Sequence, residues 1–444
     1  VSLFVKENAI IFPGLVILYH LAFRKKPKII PLLSIILITV IYLIFRASLS
    51  KTGTAGMSAT TILQRVPGFL VALSIYMRIL PLPFDLYMGR ENAIFVFNHP
   101  QVIIGGVIFI ALAATAILCW KRYKIVFFAI GWFFICIAPV SNLYPIAFYM
   151  ADHYLYLPSI GFFLLVGRGF RILYGKESFK FISIIGVTAL TIYFSYLTVI
   201  QNYYWKDPVF FYRRTLAYAP YSARMYSNLA KEYGLDKNVD KAIELYKTAV
   251  KVDPTHTVAW YNLGVSYFKL GKYDEAIEYC KKAAETDPKY AHSYNIIGAS
   301  YLTMGKLDDA IEYFKKALAV YPNHVDTMLN LSTAYYKKGA KEESANMLKS
   351  IIEKNPGYPT AYSNLGFIYA EKGNYEEAME LYKKAIELDP KYIDAYNNMA
   401  FSLYKTGKPK EAVEIYQKVL SIKPDNKQAR ENLAILEKEL STSK

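Results

Sequence analysis

Seven prolines recur in the second half of the chain at a constant spacing of 34 residues. They are Pro220, Pro254, Pro288, Pro322, Pro356, Pro390 and Pro424. A single globular core has no reason to repeat one residue at a fixed interval, whereas a stack of similar supersecondary units repeats it in every unit. The period therefore predicts a solenoid built from one recurring helix–turn–helix unit.

The residues between these prolines repeat as well, in a pattern that fits two helices per unit. Counting from Thr257 as position 1, the first helix carries one face of packing residues at positions 4, 7, 8 and 11, namely Trp260, Leu263, Gly264 and Tyr267. The second helix carries Ala276, Cys280 and Ala283 at positions 20, 24 and 27. This pattern resembles the tetratricopeptide repeat (TPR), and six units cover residues 223–426.

The pattern has a steric explanation. Small residues at positions 8 and 20 let the two helices of a unit approach closely, while large residues at positions 4, 11 and 24 fill the space between units. Five units have a glycine after the first helix, where a left-handed conformation ends a helix at little cost; these are Gly271, Gly305, Gly339, Gly373 and Gly407. The unit at 325–358 departs most from the pattern, with Met328, Ser332 and Ser344. Residues 427–444 are expected to form a helix that caps the stack.

Asparagine occupies position 6 in five of the six units. These residues are Asn228, Asn262, Asn330, Asn364 and Asn398, whereas the unit that starts at Ala291 has Ile296 there and Asn295 one place earlier. A carboxamide both donates and accepts hydrogen bonds, so a row of them along an inner groove suits the backbone of an extended polypeptide or partner protein. The alternative interpretation is that asparagine is simply common at this position of such repeats.

The first 200 residues contain long apolar runs instead of a repeat. Six of these runs are candidates for membrane spans, which need about 20 helical residues; they are residues 9–23, 29–45, 101–120, 125–140, 155–170 and 181–200. A seventh segment, 66–82, is apolar but is accompanied by Arg65 and Arg78, and we expect it to lie along or dip into the outer face of the membrane. The chain begins at Val1 beside an apolar stretch, which indicates a fragment of a longer protein.

Charge also separates the two halves. Residues 1–200 contain 17 Lys and Arg against 5 Asp and Glu, while the rest of the chain contains 35 against 31. Basic loops favour the cytoplasmic side of a membrane, and the clusters at 24–28, 121–124 and 168–180 share that side if the chain crosses six times. The last span then delivers the solenoid to the periplasm, the cell exterior or the ER lumen. Because the positive and negative charges of the solenoid nearly balance, a nucleic-acid partner is not expected. Membrane lipids are the expected surroundings of the first half.

The cysteines and histidines do not form a recognisable metal or disulfide set. Cys119 and Cys136 lie in apolar runs, and Cys280 replaces an aromatic residue of the repeat pattern. The six histidines lack the spacing of metal ligands. We therefore expect no metal and no cofactor.

Polar residues on the predicted outer side are the candidates for chemistry. Asp152 and His153 begin the run DHYLYLPSIG, and Glu7, Arg65 and Arg78 are expected on the same side. Ionisable groups at a bilayer boundary are candidates for function. Arginines would hold the phosphate of a lipid-linked donor, and a carboxylate would activate an acceptor hydroxyl. The structural alternative is that these residues cap helices or form ion pairs at the interface.

The order of these motifs resembles that of one family. The segment KENAI, the arginine-bearing segment that ends in ILPLPFDLY, the run HYLYLPSIGF and the segment NYYWKDPVFFYRRTL before the repeats are similar to those of the transmembrane-and-TPR O-mannosyltransferases. The resemblance implies a GT-C glycosyltransferase with a dolichyl- or polyprenyl-phosphate sugar as donor substrate. It places the catalytic acidic residue in an outer loop upstream of this chain, so the catalytic residue is unknown here. Glu7, Arg65, Arg78, Asp152 and His153 are then candidates for holding the donor phosphate or supporting its site, and Asp152-His153 replaces the Glu-Arg usual in the family.

The expected fold is all-α, a polytopic transmembrane domain followed by a solenoid of TPR helix pairs. The domains are a membrane domain at 1–204, a junction helix at 205–222, six TPR units at 223–426 and a capping helix at 427–444. The first functional hypothesis is transfer of a sugar from polyprenyl phosphate to a polypeptide held by the solenoid. The alternatives are a membrane-anchored scaffold for protein–protein interactions in the cell envelope, and a polysaccharide polymerase or ligase.

Overall fold

The computed structural model describes residues 11–23, 33, 36–37, 39–40, 62–83, 90–91, 95–141, 148–150, 152–236 and 238–442. In these ranges the chain is helical apart from one two-stranded ribbon, so the all-α prediction is confirmed for them. The chain divides into two compact units, Val1–Met225 and Tyr226–Lys444.

Seven α-helices of the first unit have bounds within the described ranges, and residues 33, 36–37 and 39–40 are also helical. The seven are α1 (Phe12–Phe23), α2 (Ile62–Ile79), α3 (Pro100–Cys119), α4 (Lys124–Ile137), α5 (Ser159–Tyr174), α6 (Lys180–Lys206) and α7 (Pro208–Tyr218). Short 3-10 turns cover Ala138–Val140, Asp152–Leu155 and Glu177–Phe179. Strands β1 (Arg90–Glu91) and β2 (Phe148–Met150) pair antiparallel, with Arg90 opposite Met150 and Glu91 opposite Phe148.

Helix α2 forms the core of this unit. Its side chains Val71, Leu73 and Tyr76 are at most 1% exposed. A Cβ on Gly105 of α3 would lie 1.9 Å from the carbonyl oxygen of Leu70, so α2 and α3 contact each other backbone to backbone. The segment that we expected at the membrane face is therefore packed inside the unit, and the prediction that it does not cross the membrane stays a prediction.

Helices α3 to α6 alternate in direction. Trp120 stacks on Phe127 across the turn between α3 and α4, and the Trp132 indole donates to the Leu157 carbonyl between α4 and the start of α5 at 2.8 Å. The Ser183 hydroxyl, near the start of α6, donates to the carbonyl of Phe170 near the end of α5. The turns after α3 and after α5 therefore share one end of the unit, and both are basic: Lys121, Arg122, Lys124, Arg171, Lys176 and Lys180.

Two helices in the described ranges are long and apolar enough to cross a membrane. They are Pro100–Cys119 and the continuous helix Glu177–Lys206. Both present large apolar side chains to the outside; Ile110 is 68% exposed and Phe181 is 73% exposed. Phe12–Phe23 and Lys124–Val140 are apolar but shorter, and most of residues 29–45 lie outside the described residues. Six crossings were predicted, and the polytopic arrangement beyond these two candidates stays a prediction.

The second unit is built from pairs of helices that are 13 and 14 residues long. The pairs are α8 (Ala223–Leu235) with α9 (Val239–Val252), α10 (Thr257–Lys269) with α11 (Tyr273–Thr286), α12 (Ala291–Thr303) with α13 (Leu307–Val320), α14 (Val325–Lys337) with α15 (Lys341–Lys354), α16 (Pro359–Glu371) with α17 (Tyr375–Leu388), and α18 (Ile393–Lys405) with α19 (Pro409–Ile422). A last helix, α20 (Lys427–Thr442), packs against α19. First helices of successive pairs also contact each other, as in α10 with α12 and α16 with α18, which is expected on the inner side of a curved stack.

The contacts within each pair follow the predicted steric pattern. A Cβ added at Gly298 would lie 2.7 Å from the ring of Phe314, and one added at Gly366 would lie 2.8 Å from the ring of Tyr382. The five turn glycines have φ between +75° and +86°, the left-handed region that favours glycine. The predicted solenoid of helix pairs is confirmed.

Candidate functional site

The first unit contains an apolar cavity of about 920 Å³. Its walls come from the end of α2, the start of α5, the second half of α6 and helix α7. The lining includes the aromatic side chains of Phe163, Phe194 and Phe211, and Gln201 and Asn202 of α6 add carboxamides. A cavity with apolar walls and a few polar groups is the usual form of a site for an amphipathic ligand.

Part of the predicted donor set lies beside this cavity. Arg78 is exposed and directly precedes Ile79 and Leu80, which line the cavity. Asp152 and His153 begin the 3-10 turn that ends at the lining residue Leu155, and only their backbone is described. Leu155 also packs in the same core cluster as Ile79 and Leu80, so the structure brings these two segments together.

The rest of the predicted donor set is not brought to this place. Arg65 and Arg78 are both on α2, 13 residues apart, which corresponds to about 20 Å along a helix axis. Two arginines at that separation are too far apart to hold one phosphate group together. Glu7 lies outside the described residues.

A corner between α6 and α7 closes one side of the cavity. The Asp207 carboxylate accepts hydrogen bonds from the backbone N–H groups of Val209 (2.9 Å) and Phe210 (3.2 Å) and so caps α7. The Arg214 guanidinium lies 3.8 Å from the centre of the Tyr204 ring, which stacks in turn on Phe210. Our sequence reasoning did not find this stack, although an arginine ten residues after a tyrosine across a helix break is a signal that could have pointed to it.

The predicted row of asparagines lies on the first helices of the repeats. In the described part of the chain, the carboxamides of Asn228, Asn262, Asn364 and Asn398 are half-buried and have no intramolecular hydrogen-bond partner. Asn330 donates to the side-chain oxygen of Asn295 at 3.2 Å, so the row continues past the unit in which Ile296 takes the usual place. Their polar groups are available to the backbone of a bound polypeptide.

A cluster of rings lies near the break in this row. It consists of Tyr261, Tyr290, His292, Tyr321 and His324, with centroids of neighbouring rings 5.2 to 6.1 Å apart. Burial, followed by the charge of His292, lowers the pKa of His324 below its ordinary value of 6.5, while Asp326 acts in the opposite direction. Sequence reasoning that looked only for metal-ligand spacing missed the cluster, yet alignment of successive units places two of these rings, Tyr290 and His324, at the same position.

The described ranges contain no group of three His, Cys, Asp or Glu side chains that could hold a metal ion. Cys280 is completely buried against Gly264, and burial raises the pKa of its thiol to about 12. A thiol that stays protonated at neutral pH is a packing group and a poor nucleophile.

Comparison with known proteins defines the class of the second unit. Two family models described as tetratricopeptide repeat match residues 257–290 with 393–426 and residues 301–366, and a model described as TPR repeat matches residues 237–271 with 368–407. The second unit is therefore a TPR domain. The solved structure of PilW, a type IV pilus biogenesis factor, is similar with a TM-score of 0.44 and 23% identity over 48% of this chain and 98% of that one.

Curated relatives give a more particular similarity. The chain is 29% identical over 133 residues to protein O-mannosyl-transferase TMTC3 of Homo sapiens, which is 30% of this chain and 14% of the relative. It is 27% identical over 209 residues to protein O-mannosyl-transferase TMTC1 of Mus musculus, which is 44% of this chain and 22% of the relative. The resemblance to the O-mannosyl-transferases with TPR repeats is thus confirmed, for a chain that spans less than a quarter of the length of these relatives.

Proposed function

We propose that this chain is part of a membrane glycosyltransferase that moves a sugar, mannose by analogy with the relatives, from a polyprenyl-phosphate donor to a polypeptide held by the TPR domain. The observation that carries the proposal is the combination, in one chain related to O-mannosyl-transferases, of an apolar cavity next to Arg78 and Asp152 with a row of asparagines, four of which have no intramolecular hydrogen-bond partner in the described part of the chain. The first feature suits a lipid-linked phosphate, and the second suits an extended peptide backbone.

The shape and chemistry of the cavity support a lipid donor. A polyprenyl chain is apolar and would be stabilised by the aromatic and aliphatic walls, at roughly 25 cal/mol per Å² of apolar surface removed from water. Its phosphate would remain at the polar end of the molecule, where Arg78 can supply a charge-assisted hydrogen bond. Asp152 and His153 would support the site from the adjoining turn.

The arrangement of basic turns supports the predicted orientation. The two described basic turns lie at one end of the first unit, and α1 reaches the same end because Phe23 packs on Phe128 near the start of α4. We place this end on the cytoplasmic side, where lysine and arginine loops are favoured. The segment 148–158 and the C-terminal end of α6 then lie on the non-cytoplasmic side, from which the chain continues into the repeats.

The test compares two arginines of the same helix in the natural full-length protein, reconstituted in proteoliposomes with tritiated polyprenyl-phosphate mannose and an unfolded Ser- and Thr-rich polypeptide. Arg78→Ala is expected to lower the initial rate of transfer at least tenfold, because a charge-assisted contact to phosphate is lost. Arg65→Ala, about 20 Å away on the same helix, serves as the matched control and is expected to change the rate less than twofold. Asp152→Ala is expected to abolish most of the transfer.

Three results would contradict the proposal. Equal effects of the two arginine variants would remove the cavity from the mechanism, and full activity of the folded Asp152→Ala protein would remove that carboxylate. Transfer to a glycan acceptor but not to the polypeptide would indicate a polysaccharide polymerase or ligase.

A membrane-anchored scaffold is the second candidate, and the TPR matches favour it because they concern the binding unit alone. Under this alternative the unaltered protein captures polypeptide but transfers no sugar, whatever lipid-linked donor is supplied. Asn262→Ala combined with Asn364→Ala would then weaken capture without any effect on an enzymatic reaction.

A further inference from the structure

A small cavity opens between the fourth and fifth repeats of the TPR domain. Its volume is about 140 Å³, and its lining comes from α14, α15 and α16. Four lining residues are at most 2% exposed and form the floor: Ser332, Ser344, Leu348 and Ile368. Four others reach the surface and form the mouth: Thr333, Tyr336, Asn364 and Phe367.

The cavity exists because this repeat departs from the pattern of its neighbours. Position 24 holds an aromatic ring in the adjacent repeats, Phe314 and Tyr382, and each ring fills the space over a glycine at position 8. The fourth repeat has the shorter Leu348 at position 24 and Ser332 at position 8.

The second repeat also has a short side chain at position 24, Cys280, but it keeps a glycine at position 8. The Cβ position of Gly264 lies 2.4 Å from the Cys280 sulfur, so the sulfur packs directly against this glycine. The fourth repeat has the side chain of Ser332 at position 8, so the same contact cannot form there. The combination of Leu348 with Ser332 leaves a space that no aromatic ring fills.

The lining favours an uncharged apolar group. The three serine and threonine hydroxyls of the lining donate to backbone carbonyls: Ser332 and Thr333 to Leu329 at 2.7 and 3.0 Å, and Ser344 to Ser332 at 2.8 Å. With these donors already used, a charged side chain would find little to compensate its loss of water. A cavity of about 150 Å³ with apolar walls is large enough to bind benzene, so 140 Å³ suits one side chain such as leucine or phenylalanine.

The mouth contains a ring contact and a free carboxamide. Tyr336 meets Phe367 in an edge contact with centroids 5.7 Å apart, and it lies next to Glu371, which forms an ion pair with Lys341 at 3.1 Å. Asn364, one of the predicted groove residues, belongs to the same mouth. An extended polypeptide that hydrogen-bonds to Asn364 would place one of its side chains at the entrance.

We infer that the cavity of the fourth repeat is the specificity pocket of the TPR groove, and that it takes one leucine- or phenylalanine-sized side chain of the bound polypeptide. The inference rests on the proposed capture of polypeptide by this groove. It makes the least regular repeat the one that selects the acceptor, while the asparagine row holds any backbone.

The test measures the anisotropy of fluorescein-labelled 12-residue Gly-Ser peptides with one central guest residue, Ala, Leu, Phe or Lys, on the full chain in detergent micelles. Leu and Phe guests are expected to bind about tenfold more tightly than Ala, the gain from burying one such side chain, and Lys no more tightly than Ala. The variant Ser332→Gly with Leu348→Phe restores the pattern of the neighbouring repeats and fills the cavity. It is expected to bring the four affinities together while the melting temperature stays at or above that of the unaltered chain.

Two further variants separate the pocket from the backbone contact. Thr333→Leu narrows the mouth from the surface, and it provides the test if the core variant does not fold. Asn364→Ala is expected to weaken all four peptides by the same factor and to keep the preference for Leu and Phe. Leu348→Ile conserves the volume of the floor and is expected to keep the preference as well.

The outcomes are distinct. A preference for Leu and Phe that persists in both filling variants contradicts the inferred pocket. Equal binding of all four guest peptides by the unaltered chain also contradicts it, but leaves polypeptide capture intact. If no peptide binds to the unaltered chain, polypeptide capture itself fails, and the pocket fails with it.

Discussion

The two units both contain helices that approach each other at glycine, but they specify this contact in different ways. In the TPR domain the contact between positions 8 and 24 recurs with the repeat, as Gly298 with Phe314 and Gly366 with Tyr382. In the first unit, Gly105 meets the backbone of Leu70, and Gly161 meets the backbone of Ala129, each in a pair of helices with its own sequence. A recurring contact can be recognised from its period, whereas a unique contact becomes apparent only when the two partners are known.

The two units also differ in how well they are expected to tolerate a substitution at a helix contact. A repeat that loses its standard contact can still be supported by the repeats on either side, because the energy of a solenoid is spread over many similar interfaces. The first unit has only one α2–α3 interface, and its core is centred on α2. A change at this interface should therefore cost more than the corresponding change in a repeat.

The largest effect is expected for Gly105→Ala in the first unit. The new Cβ would lie 1.9 Å from the Leu70 carbonyl oxygen, and backbone atoms on both sides cannot rotate away, so the expected loss is about 3 kcal/mol or more. The melting temperature of the first unit, followed by intrinsic tryptophan fluorescence in detergent, measures it. The matched control is Gly167→Ala on α5, where a Cβ meets nothing within 4 Å and alanine should be neutral or stabilising by up to about 1 kcal/mol. Equal melting temperatures for the two variants would contradict the close packing of α2 on α3.

A smaller effect is expected for the same kind of change within a repeat. Gly298→Ser introduces a Cβ 2.7 Å from the buried Phe314 ring and should cost about 2 kcal/mol, because the ring must shift. Phe314→Leu alone should cost about 1 to 2 kcal/mol through the space it leaves. The two changes together reproduce the combination found in the fourth repeat.

The double variant decides whether that combination is a compensated pair. We expect it to lose at least about 1 kcal/mol less than the sum of the single changes, because the shorter leucine accommodates the serine. Far-UV circular dichroism during urea unfolding of the full chain measures the three variants. Strict additivity would show that the fourth repeat tolerates Ser332 for a reason other than Leu348.

The fold of the TPR domain could be predicted because its determinants are local and repeated. The position of Gly271 after one helix or of Ala276 within the next can be read from a single unit, and each has the same residue at the equivalent position of four other units. The packing of the first unit could not be predicted in this way. The apolar segment around Val71 has the composition of a membrane-associated helix, and only its contact with α3 shows that it forms the core.

The candidate site shows the same division. The asparagines could be predicted because they repeat. The structure adds a hydrogen bond from Asn330 to Asn295, which belongs to the unit without an asparagine at position 6. The separation of Arg65 from Arg78 follows from a continuous helix that the sequence did not require. The small cavity depends on the combination of Ser332 on α14 with Leu348 on α15. Its presence can be recognised only when the packing of these two helices is known.

The smallest expected effect concerns the pH dependence of stability that the ring cluster of the TPR domain produces. Burial and the neighbouring His292 lower the pKa of His324 below 6.5, so the unfolded chain takes up a proton at a higher pH than the folded TPR domain does. The contribution of His324 is therefore fully present above pH 6.5 and is lost as the pH falls through that value towards the lower folded-state pKa. The measurement is the urea unfolding midpoint of the TPR transition between pH 5 and 8.

Two histidine variants distinguish the causes of this dependence. His324→Gln should remove the part of the pH dependence that falls just below pH 6.5, since the group that titrates is gone. His292→Gln should reduce that part only slightly, because burial is the larger cause and the charge on His292 is the smaller one. If both variants flatten the profile equally, repulsion between the two imidazoles dominates and burial does not. In that case the contact between the two rings, whose centroids are 5.2 Å apart, lowers the pKa of His324 more than its burial does.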